Sequence, residues 1–195
     1  MHKLILSLLL SAVATTLVQA EQPACGPEAT RYSVKSRHQK PALAPAAGKA
    51  LIVLVEDSSA FNYAPEPTTR AALDGQWLGA VHGNVWTAFD AEPGAHQFCA
   101  SWESWSNQNN VSFGGLHAGW DAASTTLPVS LQAGQVAYFL VKNVYDPHTP
   151  GSKPTVTLTL LTASDAQTRL RSTAYTVSMV KPARPVLGGI IKKRY

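Results

Sequence analysis

Three tryptophans, Trp102, Trp105 and Trp120, bracket a polar stretch that holds Asn107, Gln108, Asn109, Asn110, His117 and Asp121. Flat aromatic faces beside amides and a carboxylate suit a sugar or an envelope polymer, which stacks its apolar face on a ring and offers hydroxyls to directed hydrogen bonds. The same rings also serve as core, because each offers a large apolar area to a sandwich interior. Two readings stay open. One is a binding surface made of Trp102, Trp105, Asn107, Asn109, His117, Trp120 and Asp121; the other is buried, structural tryptophan.

The remaining groups capable of chemistry do not fall into catalytic spacings. His38, His82, His96, His117 and His148 are scattered over separate segments without an H-x-H, H-E-x-x-H or C-x-x-C frame, so no metal and no cofactor is expected. An acid/base site would need several of them to converge in space with Asp74, Asp90 or Asp121. His96 is expected on a hairpin strand with its ring bonded to backbone or solvent. Serine is frequent, yet no G-x-S-x-G elbow occurs, and a bridged Cys99 offers no thiolate to a histidine. No catalytic residue is assigned. The leading expectation is a non-catalytic binding or structural module acting on an envelope protein or a glycan, with a small secreted hydrolase as the alternative from a different class. Asn110-Val111-Ser112 matches the glycosylation sequon, which has meaning only in a eukaryotic secretory pathway.

The first twenty residues set the compartment. Lys3 precedes an apolar run from Leu4 to Leu10, extended by Ala12, Val13 and Leu17, and the stretch closes on Val18-Gln19-Ala20. That is the pattern of a secretory signal peptide cleaved after Ala20, interrupted by too many Ser and Thr to be a retained span. Cys25 follows Glu21-Gln22-Pro23-Ala24, which is not a lipidation signal, so a periplasmic or secreted chain is expected. Its two cysteines, Cys25 and Cys99, should form one bridge in an oxidising compartment. Sixteen Lys and Arg against twelve Asp and Glu give a net charge of +4, too weak an excess to argue for nucleic acid.

The elements that must position these groups read as short strands with turn signals between them. Residues 21–48 are rich in Pro and Ala and read as an arm, with a short edge strand around Arg31 to Lys35. Ala50-Leu51-Ile52-Val53-Leu54-Val55 is a continuous, largely β-branched run of strand length. Asp74-Gly75 between two apolar segments predicts a two-residue type I′ hairpin. Further strands are predicted around 85–89, 95–102, 125–131, 136–141 and 156–161, and residues 107–121 read as a long loop or weak hairpin. The one helix signal is Ser164-Asp165-Ala166-Gln167-Thr168-Arg169-Leu170-Arg171, with Ser164 as a candidate N-cap. The fold class is all-β, an antiparallel β-sandwich of the immunoglobulin or prealbumin kind with one short helix near the C-terminus. Domain limits follow: signal peptide 1–20, disulfide-tethered arm 21–48, sandwich 49–181 and a flexible basic tail 182–195. Lys192, Lys193 and Arg194 give that tail at most weak membrane-surface contact. The oligomeric state is left open.

Ala72-Leu73-Asp74-Gly75-Gln76-Trp77-Leu78-Gly79, then Glu92-Pro93-Gly94-Ala95-His96-Gln97-Phe98-Cys99, resembles the Asp-Gly and Pro-Gly-x-His-x-x-Cys pattern of bacterial exported proteins in domain-of-unknown-function family 2846. Ala24-Cys25-Gly26-Pro27 and Ala133-Gly134 with Tyr138-Phe139 are similar to further pieces of that pattern, so the likeness runs over about residues 24 to 181. The resemblance implies a secreted or lipidated β-sandwich and carries no established activity to any residue. This chain departs from the lipidated members in having no cysteine at the signal end.

Overall fold

The computed structural model describes residues 25–27, 29–64, 66–103, 124–152 and 155–182. Ten strands and one helix follow in the order β1 (Tyr32–Arg37), β2 (Ala50–Phe61), β3 (Thr69–Leu73), β4 (Gln76–Val81), β5 (Val85–Ala91), β6 (Gly94–Trp102), β7 (Ser124–Leu131), β8 (Val136–Tyr145), β9 (Thr155–Leu161), α1 (Ala163–Ser172) and β10 (Ala174–Val180). They make a six-stranded sheet, β1-β10-β5-β2-β8-β9, facing a four-stranded sheet, β4-β3-β6-β7. Most neighbours are antiparallel, as a β-sandwich requires. Two pairs, β2 with β8 and β10 with β5, run parallel.

The uninterrupted apolar run of β2 has a direct cause: both of its faces are covered. Ile52 and Leu54 point between the sheets and join Ala71, Leu73, Phe98, Ala100, Phe139 and Val141 in the main core. Leu51, Val53 and Val55 point the other way, into a second core with Trp86, Leu140 and Leu170 of α1. Phe98 and Phe139 meet across the sandwich with ring centroids 4.6 Å apart. At one side the sheets approach closely at Gly79, where an added Cβ would lie 2.5 Å from Ser178 Oγ and 2.7 Å from Phe89. There Ala80 N donates to Ser178 Oγ at 2.9 Å and stitches β4 to β10.

The hairpin at Asp74-Gly75 forms as its residues predict, with φ of 51° and 77° at the two turn positions. The arm also runs as predicted from its cysteine: Cys25 is bonded to Cys99 with the Cα atoms 5.4 Å apart. Past that bridge the chain crosses the outer face of the four-stranded sheet. Trp77 Nε1 donates to Pro27 O at 2.9 Å, the Arg70 guanidinium lies 4.3 Å over the Trp77 ring, and Arg70 Nη1 donates to Thr30 O at 3.1 Å. β1 then joins the six-stranded sheet with six residue pairs to β10, so the sandwich takes in chain that the sequence assigned to the arm.

Two local expectations are corrected. The helix begins at Ala163 and its N-cap is Thr162, whose Oγ1 accepts from Asp165 N, rather than Ser164. The Thr-x-x-Asp spacing satisfies an orphan N-terminal amide two residues earlier than Ser164 would. β10 was not anticipated at all, because Ala174–Val180 alternates weakly and owes its strand state to β1 and β5 on either side. No helix of the described residues is long and apolar enough to cross a membrane. Residues 1–20 and the tail beyond Pro182 lie outside the described residues.

Candidate functional site

The inward parity of four strands brings polar groups together at one end of the core. Glu56 continues the inward series Ile52, Leu54 of β2; Asn143 continues Phe139, Val141 of β8; Thr69 heads β3; and Trp102 ends β6. All four are buried, Glu56 to 1 % and Asn143 to 0 % exposure. Glu56 Oε1 accepts from Thr69 Oγ1 at 2.6 Å and from Asn143 Nδ2 at 2.7 Å. Asn143 Nδ2 also reaches Ser58 Oγ at 3.2 Å and Thr69 Oγ1 at 3.0 Å, while its Oδ1 accepts from Trp102 Nε1 at 2.7 Å. Glu56 Oε2 has no hydrogen-bond partner.

A carboxylate removed from water without a cation loses its charge more readily than its place. Burial pushes Glu56 from the usual 4.5 up to about 8. The hydrogen bonds from Thr69 and Asn143 oppose that rise, Glu66 nearby reinforces it, and the Gly83 backbone amide opposes it weakly. Glu56 is therefore a neutral acid at pH 7, sealed inside the fold.

The same end is braced from outside. Glu103 N donates to Thr68 O at 2.9 Å, Glu103 Oε1 accepts from Tyr32 N at 2.6 Å, and Arg70 Nη2 donates to Trp102 O at 3.0 Å. Aromatic rings continue outward from Trp102 through Phe61, with centroids 5.5 Å apart, to Tyr145 and then Tyr63, each step 5.8 Å. From this braced root the chain enters residues 104–123 and returns at Ser124, which pairs with Ser101.

The candidate binding residues divide accordingly. Trp102 is 3 % exposed, edge-on to Phe61 and bonded through its indole nitrogen, so its ring is core and not a stacking platform. Trp105, Asn107, Asn109, His117, Trp120 and Asp121 lie outside the described residues. Neither Glu56 nor Asn143 was singled out from the sequence. The available signal was parity, since each is a polar residue at an inward position of an otherwise apolar strand.

His96 sits on β6 in a shallow depression lined by Asp74, Ala95, Gln97, Pro128, Val129 and Ser130. Its Nδ1 is 2.6 Å from Asp74 Oδ2 and its Nε2 is 2.9 Å from the Glu92 carbonyl oxygen. With a carboxylate against one nitrogen and a carbonyl oxygen against the other, both ring nitrogens are turned to partners within the protein and away from any substrate. Asp74 Oδ1 accepts from Gln97 N at 2.8 Å, and the bonds from His96 and Gln97 hold the Asp74 carboxyl below its usual range. The pair thus clamps the β3–β4 turn to β6. A second depression is flanked by Arg37, His38, Lys40 and Tyr175. Lys40 is committed there, donating to Leu170 O at 2.9 Å and Thr173 O at 3.3 Å at the C-terminal end of α1. Among the described residues no three His, Cys, Asp or Glu side chains are grouped to hold a metal ion.

Comparison with models of known families, with curated proteins and with solved structures finds no match for this chain.

Proposed function

We propose that this protein is a non-catalytic binding or structural module of the periplasm or the extracellular space, whose residues 104–123 face a glycan or an envelope protein. The observation that carries the reading is the braced root of that segment. Trp102 and Glu103 are held by Asn143, Arg70, Thr68 and Tyr32, on strands from both sheets and on the chain joining them. A connection rich in Trp and Asn launched from so fixed a base fits the common division of labour between rigid scaffold and recognition loop. The two groups with the best claim to acid/base chemistry support it as well. His96 has both nitrogens engaged, and the Glu56 proton is buried in the core.

The Cys25–Cys99 bridge is in keeping with an oxidising compartment, as is the apolar leader. The resemblance to family 2846 agrees in fold and compartment and is silent on ligand.

The test uses the chain from Glu21 onward, tagged and incubated with insoluble peptidoglycan and with detergent-solubilised envelope proteins. Retention on one of the two is expected, with a loss of tenfold or more in a Trp105→Ala/Trp120→Ala variant that melts like the parent. Equal retention of the double variant, or turnover of glycan or ester substrates by the parent chain, would overturn the proposal.

A further inference from the structure

Among the described residues, four strands end the two sheets: β1 and β9 in one, β4 and β7 in the other. An edge strand presents unpaired N–H and C=O groups to any strand that approaches, and proteins blunt such edges with charge, proline, bulges or covering chain. Three of these edges are blunted in that way. β1 carries Lys35 and Arg37. β4 has a bulge at Leu78, between the pairs Ala71 with Gly79 and Ala72 with Trp77, and the arm lies against it through the bond from Trp77 Nε1 to Pro27 O. β7 contains Pro128.

Among the described residues, β9 has none of these guards. Its sequence, Thr155-Val156-Thr157-Leu158-Thr159-Leu160-Leu161, holds no charge and no proline, and it pairs with β8 through seven successive residues without a shift. Thr155, Thr157 and Thr159 are exposed. Leu160 has the inward parity of Val156 and Leu158, yet it is 57 % exposed, which leaves apolar surface uncovered at this edge.

We propose that β9 is a self-association edge, on which a second copy of this chain docks β9 against β9, antiparallel about a two-fold axis, so that the two six-stranded sheets become continuous. Centred on Leu158, the pairing sets Thr157 opposite Thr159 on the outer face and Val156 opposite Leu160 on the inner one. Thr–Thr and aliphatic cross-strand pairs are favourable, and each Leu160 gains an apolar neighbour. Charge selects this edge among the four. The chain has a net charge of +4, so two copies repel, and pairing through β1 would bring Lys35 and Arg37 against their own copies. Among the described residues, the nearest cation along the sheet at β9 is Lys142, opposite Thr157 on β8. Three strand spacings, about 14 Å, would separate it from its copy. That exceeds the screening length of about 8 Å at physiological ionic strength. A seven-residue pairing buries less than the roughly 1,200 Å² of a stable complex, so the dimer is weak and forms at about 10 μM to 1 mM.

Sedimentation of the untagged chain from Glu21 onward, over that concentration range at 0.15 M salt, is expected to give a monomer–dimer equilibrium. Hydrogen exchange at the β9 amides should slow as concentration rises. Thr157→Lys/Thr159→Lys, whose side chains lie on the outer face, should weaken dimerisation tenfold or more, while Thr126→Lys on the β7 edge leaves it unchanged. A chain still monomeric at 1 mM, a dimer equally strong in the double variant, or β9 amides that exchange at the same rate at every concentration would each overturn the proposal. The exchange measurement uses the parent protein, so it decides the matter even if the lysine variants do not fold.

Discussion

Replacing Glu56 by Gln preserves the shape of the buried network while removing its only ionisable group. The Gln carbonyl oxygen accepts from Thr69 and Asn143 as Oε1 does, and the new NH₂ takes the place of Oε2, which has no partner to lose. The magnitude comes from linkage. Glu56 is neutral in the folded chain up to about 8 but ionises near 4.5 once unfolded, so between those values the unfolded state binds fewer protons. Stability therefore falls as pH rises through that window, by about 1.4 kcal/mol per unit, and the loss is absent below it. At pH 7 the accumulated loss is about 3 kcal/mol. Glu56→Gln should thus be more stable than the parent by about 3 kcal/mol at pH 7, a rise of roughly 6 to 12 °C in Tm. Urea denaturation from pH 4.5 to 8 provides the sharper signature: the parent's stability should decline relative to the variant's, and the two should converge at the acid end. Parallel pH profiles would refute the reasoning, because they would mean that Glu56 titrates alike in the folded and unfolded chain.

Other expectations can be checked by simpler measurements. Mass spectrometry without reduction should find no free thiol, and Cys25→Ser/Cys99→Ser should lower stability by about 4 kcal/mol for a loop of 74 residues' separation. Gly75→Ala should lower it by about 1 kcal/mol, since φ is 77° there, and an unchanged melting temperature would count against the turn. Asp74→Asn keeps a residue tolerant of positive φ but weakens the contact with His96. Because the folded carboxyl titrates below its usual range, its contribution is present above that range and lost as pH falls through the lower folded value. Asp74→Asn should consequently flatten acid unfolding below about pH 4, by less than roughly 1 kcal/mol for so exposed a pair; an acid limb identical to the parent's would exclude the clamp.

What could be read from the residues was what local chemistry decides. Asp74-Gly75 predicts its turn because few other dipeptides tolerate two positive φ angles, and residues 50–55 predict a strand because they form a continuous apolar, largely β-branched run of strand length. β10 and the parallel pairings depend on partners far away in the chain, and no local pattern encodes them. The candidate site divides on the same line. Trp102 has the composition of a binding residue, but its fate as core is settled by Asn143 and Phe61, which only the folded sheets bring to it. Glu56 was legible in principle, as a charge at an inward position, although its missing partner is a property of the assembled core.

The bridge between Cys25 and Cys99 also decides how the chain carries tension. A pull applied to its two ends enters at Cys25, passes through the sulfurs to Cys99 in the middle of β6, and continues toward β7 without loading the 74 residues' worth of chain between them. Some 250 Å of contour length, containing β1 to β5, is held out of the load path. Force alone cannot pay out that slack; only a reductant can. The oxidised protein is in effect a short tether, and the reduced one a long tether with a buffer of unfoldable strands in series.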